Sequence, residues 1–441
     1  MRIDGRQPEE ARPISILPHF VRTAAGSCLI ATGNTRVICT ASVEEGVPPF
    51  LRGKGQGWVT AEYAMLPAST GQRKKRDGIK KDGRSVEIQR LIGRSLRQAI
   101  DLNKLGERTI TLDCDVLEAD GGTRTASITG AMVALTLAID RLISEGKLLQ
   151  SPLTHQVAAV SVGVVDDVPC CDLCYAEDSA AQVDMNLVMN ENGEFIELQG
   201  TGEGRAFTAD ELNSLLQYGR QGIERLMEAQ RETLGDAARH LHPKPLLVAA
   251  TGNAHKLREL QHIFGEYYTV VSMYAAGFNA SIEENATTFA GNATIKAEAV
   301  CEATGLPTIA DDSGLAVDVL DDEPGVYSAR YAAMNGEGEG DKDNNALLLR
   351  RMKGKTRREC AFRCAIALAI PGQPTRVAEG SCPGKLLEAE RGEGGFGYDP
   401  LFLYEPLNKT FAEITEDEKN AISHRAKACE KMLALMKELN A

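Results

Sequence analysis

Two carboxylates near the middle of the chain have a spacing that suits acid or metal chemistry. Asp178 and Asp184 lie six residues apart, beside the alternating apolar pattern of residues 183–189 that predicts a strand. Such a pair can hold a divalent cation, or one member can act as a general acid toward a leaving oxygen. A helix cap and a turn aspartate are an equally common interpretation, so both remain open.

A glycine-rich loop upstream could bind an anion. Residues 108–118 alternate as a strand, residues 119–124 read Ala-Asp-Gly-Gly-Thr-Arg, and residues 125–143 form an apolar helical run. This order brings free backbone N–H groups and the positive end of a helix to one point, where phosphate can sit. Arg124 would add a bidentate guanidinium. An ordinary turn is the alternative.

A basic stretch lies just before this loop. Residues 73–97 contain ten Lys or Arg and three acids, a local charge of +7 in a chain whose net charge is −13. The overall charge argues against a protein coated for nucleic acid, whereas a local basic loop, residues 73–84, followed by an amphipathic helix, residues 87–102, could follow an RNA backbone. A solvated charged face is the alternative.

The second half begins with another candidate phosphate site. Residues 248–256 read Val-Ala-Ala-Thr-Gly-Asn-Ala-His-Lys and precede a helical pattern at 257–264. The pattern predicts a strand, a tight turn and a helix, with Thr251, Gly252, Asn253 and Lys256 facing a phosphate chain. It is not a Walker loop, which requires a different glycine and lysine spacing.

Acidic and aromatic residues follow. Residues 307–314 predict a short strand that ends in Asp311 and Asp312, and two more acids, residues 283–284, lie upstream. Carboxylates beside a phosphate cradle suit Mg²⁺ and an activated water, although each acid alone could belong to a charged turn. Residues 394–400, Gly-Gly-Phe-Gly-Tyr-Asp-Pro, could wrap a base, with Phe396 or Tyr398 stacking on it.

The chain length requires more than one domain to carry these residues. A chain of 441 residues exceeds one ordinary hydrophobic core. A capped helical pattern that starts at Thr208 fades near residue 235, prolines follow at 243 and 245, and a buried-strand pattern starts at 246. We predict an α/β (α+β) fold class, with a first domain of mixed sheets and helices at 1–238, a linker at 239–245 and an α/β domain at 246–441.

Composition limits the possible location of the protein. The chain is 43% apolar and 25% charged, and neither a long apolar run nor a signal-peptide pattern is apparent, so we expect a cytoplasmic protein without membrane segments. The eleven cysteines lie mostly in apolar runs, which predicts reduced, buried thiols. Cys170, Cys171 and Cys174 lack a second pair at zinc spacing, which disfavours a structural metal.

The first half resembles ribonuclease PH over about residues 1–235. The resemblance rests on residues 4–6 (DGR), 39–42 (CTAS), 55–63 (GQGWVTAEY), 87–94 (EIQRLIGR), 112–116 (LDCDV), 121–127 (GGTRTAS) and 177–181 (EDSAA). It implies a phosphorolytic exoribonuclease, a tRNA nucleotidyltransferase that trims precursor tRNA with inorganic phosphate and releases nucleoside diphosphates. The alternative is a catalytically silent RNA-binding ring.

The same resemblance implies roles for particular residues. Arg84, Gly122, Thr123 and Arg124 would bind phosphate, and Asp178 and Asp184 would supply the acid and the Mg²⁺ site. Arg73 and Arg76 would grip tRNA, whereas Ala68 replaces a third arginine of the family's loop. The family also implies a ring-like hexamer.

The second half resembles the inosine/xanthosine triphosphate pyrophosphatases over about residues 246–439. That family hydrolyses dITP, ITP and XTP to the monophosphate and pyrophosphate, and its members are dimers. The resemblance implies that Asp312 is the general base and a Mg²⁺ ligand, with Asp311 and Glu283 or Glu284 nearby. The implied triphosphate contacts are Thr251, Gly252, Asn253, Ala254, His255, Lys256 and Lys296, and the implied nucleotide contacts are Ser313, Phe396, Gly397, Tyr398, Asp399, Lys419, His424 and Arg425.

Overall fold

The structure is a computed structural model that describes residues 2–76 and 82–439. Residues 77–81, part of the predicted basic loop, lie outside the described residues. The chain divides into two compact units, Met1–Pro243 and Lys244–Ala441. The mixed α/β fold class predicted from the sequence is confirmed in both units.

The first unit contains two sheets with helices against them. One sheet has five strands in the order β1-β2-β3-β5-β4, and the other has four in the order β7-β6-β8-β9. The strands are β1 (Ile14–Pro18), β2 (Gly26–Thr32), β3 (Thr35–Glu45), β4 (Trp58–Met65), β5 (Arg108–Glu118), β6 (Val157–Val165), β7 (Val168–Cys171), β8 (Val183–Asn190) and β9 (Phe195–Gly202). The helices are α1 (Gly83–Arg97), α2 (Leu102–Leu105), α3 (Thr123–Ser144), α4 (Tyr175–Asp178) and α5 (Ala209–Leu234).

Helix α3 forms the core of this unit. It contacts β2 and β3 of the first sheet and β6 of the second, and Ile128 and Met132 are completely buried. Among the described residues, α3 is the one helix long and apolar enough to cross a membrane, but 83% of its apolar window is buried inside the protein. Its apolar character is therefore explained by packing between the sheets.

Two predicted boundaries need correction. The amphipathic helix predicted at 87–102 is α1 and ends earlier, at Arg97. It also begins earlier, because Asp82 caps its N-terminus by accepting a hydrogen bond from Arg84 N. The start of the predicted linker is packed into the first unit. Leu241 is 1% exposed in the core, and His240 Nε2 lies 2.8 Å from Asp140 Oδ1.

The second unit is built on one seven-stranded sheet in the order β11-β10-β12-β13-β14-β15-β16. Strand β10 pairs in parallel with β11 and β12, and the other pairs are antiparallel. The strands are β10 (Leu246–Ala249), β11 (Thr269–Ser272), β12 (Thr308–Val317), β13 (Glu359–Ala369), β14 (Arg376–Leu386), β15 (Phe402–Tyr404) and β16 (Lys409–Thr410). The helices are α6 (Ala254–Phe264), α7 (Phe289–Thr304), α8 (Tyr331–Met334), α9 (Asp341–Arg351), α10 (Glu416–Ile422) and α11 (His424–Leu439).

Helices cover both faces of the sheet at β12. Ile309 packs with residues of α6 and α11, whereas the next residue, Ala310, packs with residues of α7. Successive side chains of a strand point to opposite faces. The residues that follow in β12 therefore alternate between an α6/α11 face and an α7 face.

Candidate functional site

One cavity in the first unit collects six of the residues predicted to do chemistry. Its volume is about 700 Å³, and its lining includes Arg84, Gly122, Thr123, Arg124, Asp178 and Asp184. Arg73 and Arg76, predicted to grip RNA, are exposed on the chain just before the undescribed residues 77–81. The structure thus brings the predicted phosphate-binding and acidic residues together from α1, α3, α4 and β8.

The phosphate-binding end of the cavity is the N-terminus of α3. Gly122 occupies the cap position with φ of 65° and provides no side-chain cap, so the first N–H groups of a 22-residue helix are left for other acceptors. Arg124 Nη1 donates to Gln199 Oε1 at 3.1 Å and lies 3.7 Å from Glu87 Oε1. These contacts aim its guanidinium from α3 toward β9.

A buried ion pair that sequence reasoning missed holds the glycine-rich loop in place. Arg12 makes a bidentate contact with Asp172, and the same guanidinium donates to the carbonyl oxygen of Asp120. Thr35 Oγ1 donates to the carbonyl oxygen of Gly121 at 2.6 Å. Since Arg12 and Asp172 are 160 residues apart, their pairing has no local sequence signal.

A second buried pair positions Asp178. Arg2 Nη2 lies 2.7 Å from Glu177 Oε2, and Arg6 Nη2 lies 3.5 Å from the same oxygen. Glu177 also completes a capping box with Cys174 at the start of α4. The arginines of the N-terminal segment therefore fix the short helix whose last residue is Asp178.

The environment of Asp178 and Asp184 raises the pKa of both carboxyl groups. Burial raises the pKa of Asp178, and the nearby Arg84 and Arg124 offset this only in part. Burial also raises the pKa of Asp184, and the charge of Asp178 adds to that shift. Two close carboxylates of this kind suit either proton donation or a shared cation.

In the second unit, the predicted turn lies between β10 and α6. Asn253 caps α6 by accepting hydrogen bonds from the backbone N–H groups of His255 and Lys256, and Thr251 Oγ1 accepts from Asn253 N. The predicted residues Gly252 and Ala254 complete this turn. Lys256 Nζ lies 2.9 Å from Asp311 Oδ2, so the lysine reaches from the turn to the sheet.

Asp311 and Asp312 lie inside β12, not at its end as predicted, because the strand continues to Val317. Asp311 is on the α6/α11 face, where its Oδ2 contacts Lys256 and Arg425. Burial alone would raise the pKa of Asp311, but these two cations outweigh it and lower the pKa. Asp311 is therefore an ionised anchor for two basic side chains.

Asp312 is on the α7 face, in a different environment. Asn292 Nδ2 donates to Asp312 Oδ2 at 3.1 Å, and Lys296 Nζ lies 3.4 Å from Oδ1. Lys296 Nζ also lies 3.5 Å from Glu284 Oε2, whereas Glu283 is exposed. Burial raises the pKa of Asp312, and Lys296 offsets this in part.

The protein ligands at this site fit Mg²⁺ only if a substrate supplies further oxygen ligands. In residues 2–76 and 82–439, no group of three or more His, Cys, Asp or Glu side chains is arranged to hold a metal ion. Asp312 and Glu284 offer two carboxylates around Lys296. Mg²⁺ is commonly bound by one or two carboxylates together with phosphate oxygens and water, and the pair fits that pattern.

Several residues predicted to bind the nucleotide or its triphosphate border a cavity of about 300 Å³. His255, Phe396 and Lys419 line it, together with Arg258 and His262, which the sequence did not single out. The rings of His255 and Phe396 stack at 6.0 Å between centroids. Lys419 Nζ donates to Asp399 Oδ2 at 2.6 Å and lies 4.7 Å from the Phe396 ring centre.

Tyr398 does not provide the stacking surface that the sequence suggested. Its side chain is 4% exposed and belongs to the hydrophobic core, and its hydroxyl donates to the carbonyl oxygen of Ser328 at 2.9 Å. Gly397 N donates to Asp341 Oδ2. The loop therefore presents Phe396 to the cavity and uses Tyr398 as its anchor.

Arg425 and His424 are both buried. Arg425 donates to Asp311, to Ser313 Oγ and to Glu259, so all three of its guanidinium nitrogens are engaged within the protein. Burial holds the pKa of His424 well below its usual value, and the ring stacks on Phe362 at 4.9 Å. Its buried Nδ1 has no hydrogen-bond partner within the described part of the chain.

The cysteines agree with the prediction of reduced thiols. All of them are free, and all but the half-buried Cys174 are buried. Burial raises the pKa of Cys171 to about 12.

Comparison with known protein families divides the chain in the same way. The model for the 3' exoribonuclease family, domain 1, matches residues 10–139, and that for domain 2 matches residues 155–222. The model for the Ham1 family matches residues 247–435.

Solved structures similar to parts of this chain include three from different organisms. The Staphylococcus aureus Ham1 protein is 38% identical, with 44% of this chain and 98% of that chain covered and a TM-score of 0.41. A HAM1 protein from Coxiella burnetii is 35% identical, with coverages of 44% and 99% and a TM-score of 0.41. Rice (Oryza sativa) Rrp46 is 21% identical, with coverages of 53% and 100% and a TM-score of 0.44.

Proposed function

We propose that this chain is a bifunctional enzyme. Its second half belongs to the Ham1 family, and its first half carries both domains of the 3' exoribonuclease (RNase PH) family. Its first activity is phosphate-dependent trimming of tRNA 3' ends. Its second is hydrolysis of dITP, ITP and XTP to the monophosphate and pyrophosphate.

The phosphorolytic activity is supported by the cavity that unites Arg84, Gly122, Thr123, Arg124, Asp178 and Asp184. The two guanidiniums and the N-terminus of α3 hold inorganic phosphate. A phosphate oxygen bonds to the phosphorus of the last linkage as the bond from that phosphorus to the preceding 3' oxygen breaks. The products are a nucleoside diphosphate and an RNA shortened by one nucleotide.

The two aspartates of this cavity complete the reaction. One of them gives its proton to the departing 3' oxygen, a role that the raised pKa values of both carboxyls favour. The other aspartate would hold Mg²⁺, which would neutralise charge on the phosphates. Arg73 and Arg76 contact the tRNA farther from the cut.

A tRNA with a 3' extension tests this activity directly. The protein is incubated with this RNA with and without inorganic phosphate, and the released nucleotides are separated by chromatography. We expect nucleoside diphosphates that depend on phosphate. Binding of the RNA without any release would instead identify the first unit as a catalytically silent RNA-binding ring.

The pyrophosphatase activity is supported by the position of Asp312, held by Asn292 and Lys296 on the α7 face of the sheet. Asp312 accepts a proton from a water that attacks the α-phosphorus, and pyrophosphate leaves. The turn at 251–256 and Lys296 bind the triphosphate. Mg²⁺ held by Asp312 and Glu284 would supply charge neutralisation for the departing pyrophosphate.

The base would occupy the cavity beside Phe396. Steady-state rates with ITP, XTP, dUTP and GTP test this assignment, with and without Mg²⁺. We expect the highest kcat/KM for ITP and XTP, and no pyrophosphate after EDTA treatment. A preference for dUTP would assign the unit to another modified nucleotide.

Both families lead us to propose a homo-oligomer, with RNase PH units in a hexameric ring and pyrophosphatase units in dimers. Three dimers within one hexamer satisfy both symmetries. Light scattering at micromolar concentration tests the proposal, and a monomer would contradict it.

A further inference from the structure

Tyr175 is an exposed aromatic residue inside the catalytic cavity of the first unit. Its side chain is 63% exposed, and it lines the same cavity as Arg84, Arg124 and Asp178. None of the roles assigned to that cavity uses this ring. In proteins that bind single-stranded nucleic acid, exposed aromatic rings between basic side chains commonly stack on bases.

The backbone of Tyr175 is fixed relative to the phosphate-binding loop. Its N–H donates to Asp120 Oδ1 at 3.0 Å, and the other carboxylate oxygen of Asp120 accepts from Asn34 Nδ2 at 3.1 Å. The two chain segments are in close contact, since a Cβ atom added to Gly121 would lie 2.4 Å from the carbonyl oxygen of Leu173. The backbone atoms that carry the ring therefore have a defined position beside the loop.

Tyr175 is also fixed relative to the acidic residues. It is the first residue of α4, whose last residue is Asp178. The buried pair between Glu177 and Arg2 holds this single turn of helix against the N-terminal segment. One short helix thus carries both the aromatic ring and a carboxylate of the proposed reaction.

We propose that Tyr175 stacks on a base within the last two nucleotides of the RNA and so positions the 3' end for attack. This inference rests on the proposed phosphorolytic function. The charged groups of the cavity bind phosphate and ribose oxygens, and a ring on the same wall supplies the apolar surface that a base requires.

The test combines two variants with two RNAs. Tyr175→Ala removes the ring, and Tyr175→Phe keeps it as the matched control. The RNAs are a single-stranded oligonucleotide and the same oligonucleotide with abasic riboses at its last two positions. KM and kcat are measured for each RNA, and KM is measured separately for inorganic phosphate.

With the normal RNA, we expect Tyr175→Ala to raise KM about ten-fold, as the loss of one stacked base would. Its KM for phosphate should not change, and Tyr175→Phe should behave as the wild type. The abasic RNA should bind the wild type about ten-fold more weakly and show no further loss with Tyr175→Ala. An equal loss on both RNAs would overturn the proposal, as would a wild-type KM in Tyr175→Ala.

Two further measurements serve as controls. The first applies if the wild type is inactive, and the second detects a loss of assembly in Tyr175→Ala. If the wild type binds RNA without phosphorolysis, the proposed reaction fails, and the Kd values of the wild type and both variants for the two RNAs, from fluorescence anisotropy, decide on stacking alone. Sedimentation velocity of Tyr175→Ala should match that of the wild type. Dissociation of the assembly would show that the ring packs against another copy of the chain and would overturn the proposal.

Discussion

Asp311 and Asp312 are neighbours in β12, but they point to opposite faces of the sheet and their pKa values shift in opposite directions. Lys256 and Arg425 contact Asp311 on one face, and Asn292 and Lys296 contact Asp312 on the other. Protein cations neutralise the first carboxylate, whereas burial raises the pKa of the second. We therefore expect substitutions at the two positions to have different effects.

The first prediction is that Asp311→Asn destabilises the second unit. The substitution leaves Lys256 and Arg425 near a neutral amide in a buried site, and breaking a buried pair in this way typically costs about 3–5 kcal/mol. Urea unfolding followed by far-UV circular dichroism measures the effect. The single tryptophan, Trp58, lies in the first unit, so its fluorescence should report an unchanged transition.

The matched control for this prediction is Asp322→Asn. Asp322 pairs with Arg363 through two hydrogen bonds, but both side chains are about half exposed. Exposed pairs contribute at most about 1 kcal/mol. If Asp311→Asn were no more destabilising than Asp322→Asn, the buried contacts of Asp311 would not stabilise the fold.

Features of this arrangement that depend on residues close together in the chain could be predicted from the sequence. The local order of strand, turn and helix at residues 246–264 predicted β10 and α6, because each of these elements depends on near neighbours. The alternation of β12 was also visible in the sequence, and it separates Asp311 from Asp312. The prediction that Asp311 and Asp312 belong to one metal site did not take that alternation into account.

Contacts between distant residues explain what the sequence did not predict. Arg2 contacts Glu177, which is 175 residues away along the chain, and Tyr398 contacts the carbonyl oxygen of Ser328, which is 70 residues away. Nothing local distinguishes Tyr398, which is buried, from Phe396, which borders a cavity. Only the folded neighbourhood decides which of two aromatic residues in one loop is available to a ligand.

The second prediction concerns phosphate binding in the first unit. Arg124→Gln should raise the KM for inorganic phosphate about 10- to 100-fold, because a charged hydrogen-bond donor is lost. Phosphorolysis rates at varied phosphate concentration measure it. Arg124→Lys should recover only part of the loss, since lysine keeps the charge but not the planar fork.

The control for this substitution is Arg36→Gln. Arg36 lies in the same unit and pairs with Glu118 at 3.5 Å, with both side chains about half exposed. Its phosphate KM should equal that of the wild type. An equal rise in both variants would mean that overall charge, and not the position of Arg124, determines phosphate affinity.

The third prediction is an acid-dependent loss of stability at the start of α5. Arg205 and the backbone of Thr208 bind the Glu211 carboxylate and lower its pKa from 4.5 to about 2. Since the folded-state pKa is depressed, this stabilisation is present above the unfolded value and disappears as the pH falls toward 2. Glu211→Gln should therefore lower the Tm of the first unit at pH 6 but not at pH 2.

Thermal unfolding followed by Trp58 fluorescence measures this difference at a series of pH values. Glu224→Gln is the control, because Glu224 is an exposed glutamate on the same helix. If the Tm difference between Glu224→Gln and the wild type varied with pH as that of Glu211→Gln does, the change in net charge would account for both effects. A pH-independent difference for Glu211→Gln would show that its carboxylate does not stabilise the helix start.

The last prediction separates the two proposed activities. Asp312→Asn should reduce pyrophosphate release at least about 100-fold, because an amide cannot accept the proton of the attacking water. Phosphorolysis of RNA should be unchanged, since all the residues of its cavity lie in the first unit. A coupled pyrophosphate assay and nucleoside diphosphate release measure the two reactions on one sample, with Asp318→Asn, an exposed acid just beyond β12, as the control. Full pyrophosphatase activity in Asp312→Asn would reject Asp312 as the base, and loss of both reactions would show that the two units do not act independently.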